Sequence, residues 1–247
     1  MSKHTNDFDS ALRKVRNEPK SQLEENQDRD RRDKPRDFCH LVKKFPRQAA
    51  QSKDAIDFAA HLAQNGNAEM AFEAIEYLFD SEPKFLTYNR HFGFALEALA
   101  NNGFDRRAKE ILRQSVRDWP QNMAANTSLG AALESLISSG HKSLVATQFT
   151  KLTQEAPQIL ARNPSTGWII SGLVEAGKTS EAINAFIDLA KRHPVAFSMN
   201  PTVDKAISSL EKLGVAKIFG DSKANTVTDL IGTIRGIQQN PPIPRFE

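Results

Sequence analysis

The sequence predicts an all-α fold: a right-handed α-solenoid of stacked antiparallel helix hairpins, with four regular repeats, a degenerate C-terminal capping repeat and a disordered N-terminal arm. Three observations predict it: a glycine recurs every 37 residues, a leucine always stands four residues before it, and a proline follows seventeen residues later in four of five copies. Such self-similarity at a fixed period is typical of repeat architectures. The glycines are Gly66, Gly103, Gly140, Gly177 and Gly214; the leucines are Leu62, Leu99, Leu136, Leu173 and Leu210; the prolines are Pro83, Pro120, Pro157 and Pro194.

Residues 1–50 are predicted to be a mostly disordered, charged arm with short amphipathic helices. Segment 16–37 has almost no apolar side chains, so burial cannot offset the entropy that its ordering would cost. Two short apolar stripes flank this segment. They are Phe8, Leu12 and Val15, and Phe38, Leu41, Val42 and Phe45. The second stripe is either a cap packed on the first repeat or a helix that docks in a partner's groove. The first stripe is either a partner-binding helix or a transient helix without a role.

Residues 51–240 are predicted to form the repeat domain, in which each copy is a hairpin of two helices. The apolar residues before each glycine have helical spacing, and the glycine supplies the left-handed cap that ends this first helix. A second amphipathic helix follows, with apolar residues five, nine and twelve positions after the glycine, as at Ala71, Ile75 and Leu78. The proline is expected to stop this helix and to direct the chain into the next hairpin.

In this arrangement the sequence resembles the tetratricopeptide repeat family, which has the same glycine, a small residue five later, an aliphatic or aromatic residue nine later and a proline seventeen later. The resemblance covers about residues 52–214, with a degenerate fifth copy to about 238. The period of 37 residues differs from the family's period of about 34. The phrase LVEAGKTSEAINAF taken alone resembles the related pentatricopeptide repeats.

The fifth copy departs from the pattern after its glycine, as an end repeat that must cover the exposed face of a stack is expected to do. Phe219, Gly220 and Asp221 interrupt its second helix, which is expected to restart near Thr226. Its apolar stripe is Leu230, Ile231, Ile234 and Ile237. The remaining residues, 241–247, are predicted to be a proline-rich extended tail.

Composition excludes several classes of protein. The net charge of +3 is uneven: residues 1–50 hold 13 Lys+Arg against 9 Asp+Glu, which leaves 20 against 21 in the remainder. A near-neutral body is weak support for nucleic-acid binding. No apolar run is long enough to span a membrane. The only cysteine is Cys39, which excludes intrachain disulfides and fits a cytoplasmic or other reducing intracellular compartment.

No residues are predicted to be catalytic, to bind a cofactor or to ligate a metal, and no small-molecule substrate is expected. The six histidines lack the spacings of metal sites. Cys39 and His40 are adjacent in the arm, where a nucleophile would have no preformed pocket.

The resemblance implies that the first helices line a concave groove that is small-residue, mildly acidic and partly apolar. The residues expected to be exposed there are Arg90, Gly93, Glu97, Asn101, Thr127, Gly130, Glu134, Ser138, Gly167, Ser171 and Glu175. Two alternatives remain open for the three glycines: they serve helix packing, or they let the backbone of a ligand approach closely.

One second helix carries a basic patch. Its residues are Arg106, Arg107, Lys109, Arg113 and Arg117. The patch is either a solvated outer face with acidic neighbours or a contact for an acidic partner or an RNA backbone.

These patterns favour a non-catalytic protein-interaction scaffold or adaptor that binds a peptide or helix on the concave face. The alternative is a pentatricopeptide-like protein that binds single-stranded RNA, a mode that needs base-reading polar residues and a basic groove.

Overall fold

The computed structural model describes residues 3–17, 27–215 and 220–242, and every regular element within them is a helix. The all-α fold is therefore confirmed. The helices are α1 (Lys3–Asn17), α2 (Gln27–Lys44), α3 (Pro46–Gln51), α4 (Lys53–Gln64), α5 (Ala68–Ser81), α6 (Pro83–Tyr88), α7 (Phe92–Leu99), α8 (Asp105–Asp118), α9 (Pro120–Ala125), α10 (Leu129–Ser138), α11 (Lys142–Glu155), α12 (Pro157–Arg162), α13 (Thr166–Glu175), α14 (Thr179–Arg192), α15 (Pro194–Ser198), α16 (Val203–Leu213) and α17 (Asp221–Gln239). A π-helical turn, Ala100–Phe104, joins α7 to α8.

The 37-residue unit contains three helices, one more than the predicted hairpin. A short helix of five or six residues lies between the second helix of one unit and the first helix of the next. The first helices are α4, α7, α10, α13 and α16; the second helices of the regular units are α5, α8, α11 and α14; the short helices are α3, α6, α9, α12 and α15.

The recurring proline explains the additional helix. Each of the four prolines ends a second helix, as predicted, but it is also the first residue of a short helix. A proline suits this position because its fixed φ is helical and its missing N–H would have no partner there. Pro46 begins α3 in the same register, 37 residues before Pro83.

The recurring glycine adopts the predicted left-handed conformation. The backbone φ is +81° at Gly66, +92° at Gly103, +87° at Gly140, +76° at Gly177 and +64° at Gly214. A residue with a Cβ is strained in this region, so glycine is favoured where the chain leaves the first helix and starts the second.

Equivalent helices of neighbouring units pack against each other. The first helices contact one another in chain order from α4 to α16, and the short helices do so from α3 to α15. Among the second helices, α8 contacts α11, α11 contacts α14, and α14 contacts α17. Their interior positions are buried aliphatic or aromatic residues, namely Ile75, Leu112, Phe149 and Phe186.

Four buried asparagines, spaced by 37 residues, connect the units through hydrogen bonds. They are Asn89, Asn126, Asn163 and Asn200, and each one follows a short helix. The side-chain amide of each of the last three donates to the backbone carbonyl of the preceding asparagine, at 2.8 Å in each case. The side-chain oxygen of each accepts the backbone N–H two residues later. We call this series the asparagine ladder.

The N-terminal helices pack on the first unit. Helix α2 contacts α5, and α1 contacts α2. Both predicted apolar stripes pack within the chain. Their buried residues are Phe8, Leu12, Phe38 and Val42. For the second stripe this is the cap arrangement of the two alternatives. The first stripe fits neither of its alternatives, because α1 packs on α2 and α3 within the chain. Helix α2 begins at Gln27, inside the segment for which the composition predicts disorder; residues 18–26 of that segment lie outside the described residues.

The last unit is irregular, as the sequence predicts. Helix α17 begins at Asp221, five residues before the expected restart, and it packs on α14 and α15. It buries Val227, Ile231 and Ile234, whereas Leu230 and Ile237 of the predicted stripe are half-buried. Phe219 and residues 243–247 of the predicted tail lie outside the described residues.

Candidate protein interface

The residues predicted to line the groove differ in accessibility. Six are exposed and two are half-buried, whereas Gly93, Gly167 and Ser171 are buried. The exposed six are Arg90, Asn101, Thr127, Glu134, Ser138 and Glu175; the half-buried two are Glu97 and Gly130. The accessible part of the predicted surface is therefore polar and partly acidic.

The three glycines serve packing. A Cβ added at Gly93 would lie 2.1 Å from the backbone oxygen of Ser128, and one at Gly167 would lie 1.8 Å from that of Thr202. At Gly130 the nearest atom would be Cβ of Ser165, at 2.9 Å. Because these neighbours belong to the start of the next unit, each glycine lets adjacent units approach closely. The expectation that these glycines are exposed to a ligand is corrected at the buried Gly93 and Gly167.

Several polar side chains on the first helices bind each other across unit boundaries. The hydroxyl of Ser135 donates to Oδ1 of Asn101 at 2.6 Å. The hydroxyls of Ser171 and Ser209 are 2.7 Å apart, and Ser171 also donates to Oε1 of Glu175 at 3.0 Å. Two of these bonds, Ser135 to Asn101 and Ser171 to Ser209, link neighbouring units, whereas the bond of Ser171 to Glu175 lies within α13.

Two glutamates, Glu97 and Glu134, occupy equivalent positions in adjacent units. Partial burial raises the pKa of the Glu97 carboxyl above its usual value, and the nearby charge of Glu134 raises it further. A cation that approached both carboxylates would relieve this repulsion, because it would favour the ionised form of each.

The predicted basic patch is largely compensated by acidic neighbours. Arg107 pairs with Glu76 at 2.7 Å, Arg117 pairs with Asp118 at 2.7 Å, and Arg113 pairs with Glu110. Arg106 and Lys109 complete the patch, the former exposed and the latter half-buried. The arrangement fits a solvated outer face better than a site for a polyanion.

The short helices form a further surface, which the sequence-based prediction does not include and which shares Arg90 and Thr127 with the predicted groove residues. We define the short-helix ridge as residues 46–52, 83–91, 120–128, 157–165 and 194–202, that is, each short helix with the loop that follows it. It contains no Asp or Glu, although the chain has 30 among 247 residues. Its cations are Arg47, Lys84, Arg90 and Arg162. Each stretch begins at the recurring proline, so the register that predicts the second helices also marks this ridge.

Large apolar side chains are exposed on the short-helix ridge. The exposed fractions are 74% for Tyr88, 61% for Met199, 45% for Val195 and 36% for Ile159. Among the described residues, the other large apolar side chains with comparable exposure, Phe94 and Trp168, lie in the first turns of α7 and α13, beside the ridge. The exposed large apolar side chains are therefore concentrated in one region of the molecule.

Between α12 and α15 the ridge forms a groove of about 540 Å³. Its lining includes Val195 and Met199 as apolar walls, with Arg162 and His193 as polar neighbours. The groove is open to solvent, so it is a surface depression and not an enclosed cavity.

Histidine and cysteine chemistry is limited in the described part of the chain. His91 pairs with Asp57 and His141 with Asp105, each at 2.6 Å, and both pairs join neighbouring units. Burial raises the pKa of the Cys39 thiol to about 11, so it is a poor nucleophile. No group of three or more His, Cys, Asp or Glu side chains in the described ranges is arranged to hold a metal ion.

No helix in the described residues is both long enough and apolar enough to cross a membrane. Comparison of the chain with models of protein families, with curated proteins and with solved structures found no match.

Proposed function

We propose that this chain is a non-catalytic protein-interaction scaffold. Its units stack into a right-handed solenoid of the tetratricopeptide-like kind, and the first helices present a concave face that binds a peptide or a helix of a partner protein. The chain works in the cytoplasm or another reducing compartment, where a protein keeps its only cysteine as a free thiol.

The observation that carries the proposal is the packing of equivalent helices in chain order. Because each first helix contacts the next, positions 37 residues apart form rows across the units. One row contains Asn101, Ser138 and Glu175, all exposed. An extended or helical segment that lies across such rows meets polar side chains at regular intervals, which is how repeat proteins bind extended partners.

The alternative role in binding single-stranded RNA is less well supported. Recognition of this kind needs a continuous positive groove, and the face of the first helices carries Glu97, Glu134 and Glu175. The predicted basic patch lies on a second helix, where three of its arginines are paired with carboxylates.

Site-specific photocrosslinking in cells tests the proposal. A photoreactive amino acid replaces Ser138 on α10, and the matched control carries it at Ser180, an exposed serine on the second helix α14. We expect discrete protein adducts from position 138 that are absent from position 180. Equal adduct patterns, or no adducts from position 138, would contradict the proposed binding face. Salt-sensitive retention of single-stranded RNA on a filter, lost when Ser138 is replaced by Glu, would support the RNA alternative instead.

A further inference from the structure

We infer that the short-helix ridge is a second docking surface of the proposed scaffold, and that it binds an acidic segment of a partner protein through apolar anchor side chains. The inference rests on the proposed function, and it adds the location of a further interface and the chemistry of its partner.

The positive charge of the ridge favours a negatively charged partner. The ridge has no carboxylate side chain, and its four cations form no ion pair with any residue in the described part of the chain. Elsewhere some of the cations are paired with carboxylates, as Lys43 is with Glu73 at 2.6 Å and Arg235 with Glu211 at 2.9 Å. Electrostatic complementarity of this kind favours an acidic partner and suppresses basic ones.

The exposed apolar side chains of the ridge favour a partner that has aromatic or aliphatic side chains to pack against them. Tyr, Met and Arg are enriched in protein interfaces, where Glu and Asp are depleted, and the ridge has this composition. The groove between α12 and α15 offers Val195 and Met199 to an apolar side chain. Arg162 lies at the same groove, so a carboxylate next to that anchor would reach a guanidinium partner.

The ridge is also rigid at its base. The asparagine ladder is the buried part of the ridge, and its amides bind carbonyls of the preceding unit, such as Asn200 to Ala161 at 2.8 Å. A preformed surface loses little conformational freedom on binding, so more of its contact energy is available for affinity.

A protein segment fits these features better than RNA or a membrane does. Polyanion binding needs a dense basic track, whereas the middle unit of the ridge, 120–128, has no Lys or Arg at all. Binding to an anionic bilayer needs a cluster of basic residues beside a continuous apolar face. Here the apolar side chains are separated by polar Gln158 and Arg162 and line a groove of limited volume.

Peptide selection tests the inference with defined probes. A phage library of random 16-residue peptides is panned against the full chain, and the enriched peptides are synthesised with a fluorescent label. We expect them to be acidic, to carry aromatic or aliphatic anchors, and to bind more weakly as the salt concentration rises. In fluorescence polarisation, Arg162→Glu should weaken the binding of these peptides by about tenfold or more.

Matched variants separate this outcome from a folding defect. Met199→Glu places a carboxylate in the groove and should also weaken binding, whereas Lys142→Glu, an exposed charge reversal on α11, should leave it unchanged. Circular dichroism melting of all three variants reports whether the fold is kept. If Arg162→Glu does not fold, the milder Arg162→Gln replaces it. Weaker peptide binding by Arg162→Gln, together with salt-sensitive binding by the parent chain, supports the inference, and unchanged binding contradicts it.

The remaining outcomes overturn the inference. Enriched peptides that are basic, or whose binding is unaffected by Arg162→Glu and Met199→Glu, contradict it. If Glu134→Lys abolishes peptide binding instead, the peptides bind the first helices. This result keeps the proposed function and excludes the ridge as the docking surface. Failure to enrich any peptide would count against both the proposed function and the docking role of the ridge. Retention of single-stranded RNA, or sedimentation with phosphatidylserine vesicles, that is lost on Arg162→Glu would assign the ridge to another class of partner.

Discussion

At the scale of single residues, the asparagine ladder joins successive units through buried hydrogen bonds. Asn126 is 1% exposed; it donates to the carbonyl of Asn89 and accepts the backbone N–H of Ser128. Removing this amide leaves the backbone N–H of Ser128 without its acceptor, whereas the carbonyl of Asn89 keeps the bond from the backbone N–H of Phe92 at 3.0 Å. A buried donor without a partner costs more than the net value of its hydrogen bond.

Asn126→Ala should therefore lower the free energy of unfolding by about 1–3 kcal/mol, since it leaves the buried backbone N–H of Ser128 without its acceptor. Urea denaturation followed by circular dichroism measures the change. The control is Asn225→Ala on the exposed surface of α17, which should change the stability by less than about 0.5 kcal/mol. Equal effects of the two substitutions would show that the ladder does not hold the units together.

Gly167 marks the closest approach of two units. Because a Cβ there would meet the carbonyl of Thr202 at 1.8 Å, Gly167→Ala must displace the start of α16 and should cost about 2 kcal/mol or more. Gly232 lies in α17 with open space around its Cβ position, so Gly232→Ala should stabilise the chain by up to about 1 kcal/mol through helix propensity. Thermal denaturation of the two variants compares them. If Gly167→Ala were as stable as the parent, the close packing of the units would be refuted.

At the scale of the helices, a side-chain hydrogen bond joins α8 to the residue that precedes α11. Nε2 of His141 lies 2.6 Å from Oδ2 of Asp105, and this hydrogen bond lowers the pKa of the Asp105 carboxyl below its usual value of 3.8. A carboxyl whose pKa is depressed in the folded state adds stability above its unfolded pKa, and this contribution is lost as the pH falls through the folded value.

Asp105→Asn should consequently destabilise the chain at about pH 6 and have a smaller effect at about pH 3. Urea denaturation at both pH values gives the difference. Asp229→Asn, which removes an exposed carboxylate of α17, serves as the control and should show no comparable trend. A destabilisation by Asp105→Asn that is the same at both pH values would show that the carboxylate's charge contributes nothing to the coupling.

The helices that the sequence predicts well are those with enough turns to display a period. The first helices have 8 to 12 residues and the second helices of the regular units have 14, with buried side chains such as Ile75 and Phe149 at helical spacing, and a glycine lies between the two. The short helices are missed because five or six residues show no period of 3.6, and their proline is also a signal for termination. No local pattern marks them as separate elements.

The candidate interface is predictable only in part. The acidic positions of the first helices follow from the repeat register, and Glu134 and Glu175 are exposed as expected. The burial of Gly93 and Gly167 could not be derived, because it depends on how closely the next unit approaches. The asparagine ladder has a sequence signal, four asparagines at the same 37-residue interval, but only the structure shows their bonds to the preceding unit.

At the scale of the whole molecule, the proposed function requires units that stack in a line. Both proposed surfaces, the face of the first helices and the short-helix ridge, exist only if equivalent positions of successive units lie side by side. The contacts between consecutive first helices and between consecutive short helices support this arrangement. The ends are covered by different elements, α1 and α2 at one end and α17 at the other.

Distances between spin labels test the stacking most directly. Asn101, Ser138 and Lys212 are exposed and equivalent, and their cysteine variants can be labelled selectively because the thiol of Cys39 is buried. Since packed helices lie about 8–10 Å apart, we predict about 20 Å for the pair 138 and 212, two units apart, and about 30 Å for the pair 101 and 212, three units apart. A distance between 101 and 212 that is equal to or shorter than that between 138 and 212 would contradict the linear stack and both binding surfaces.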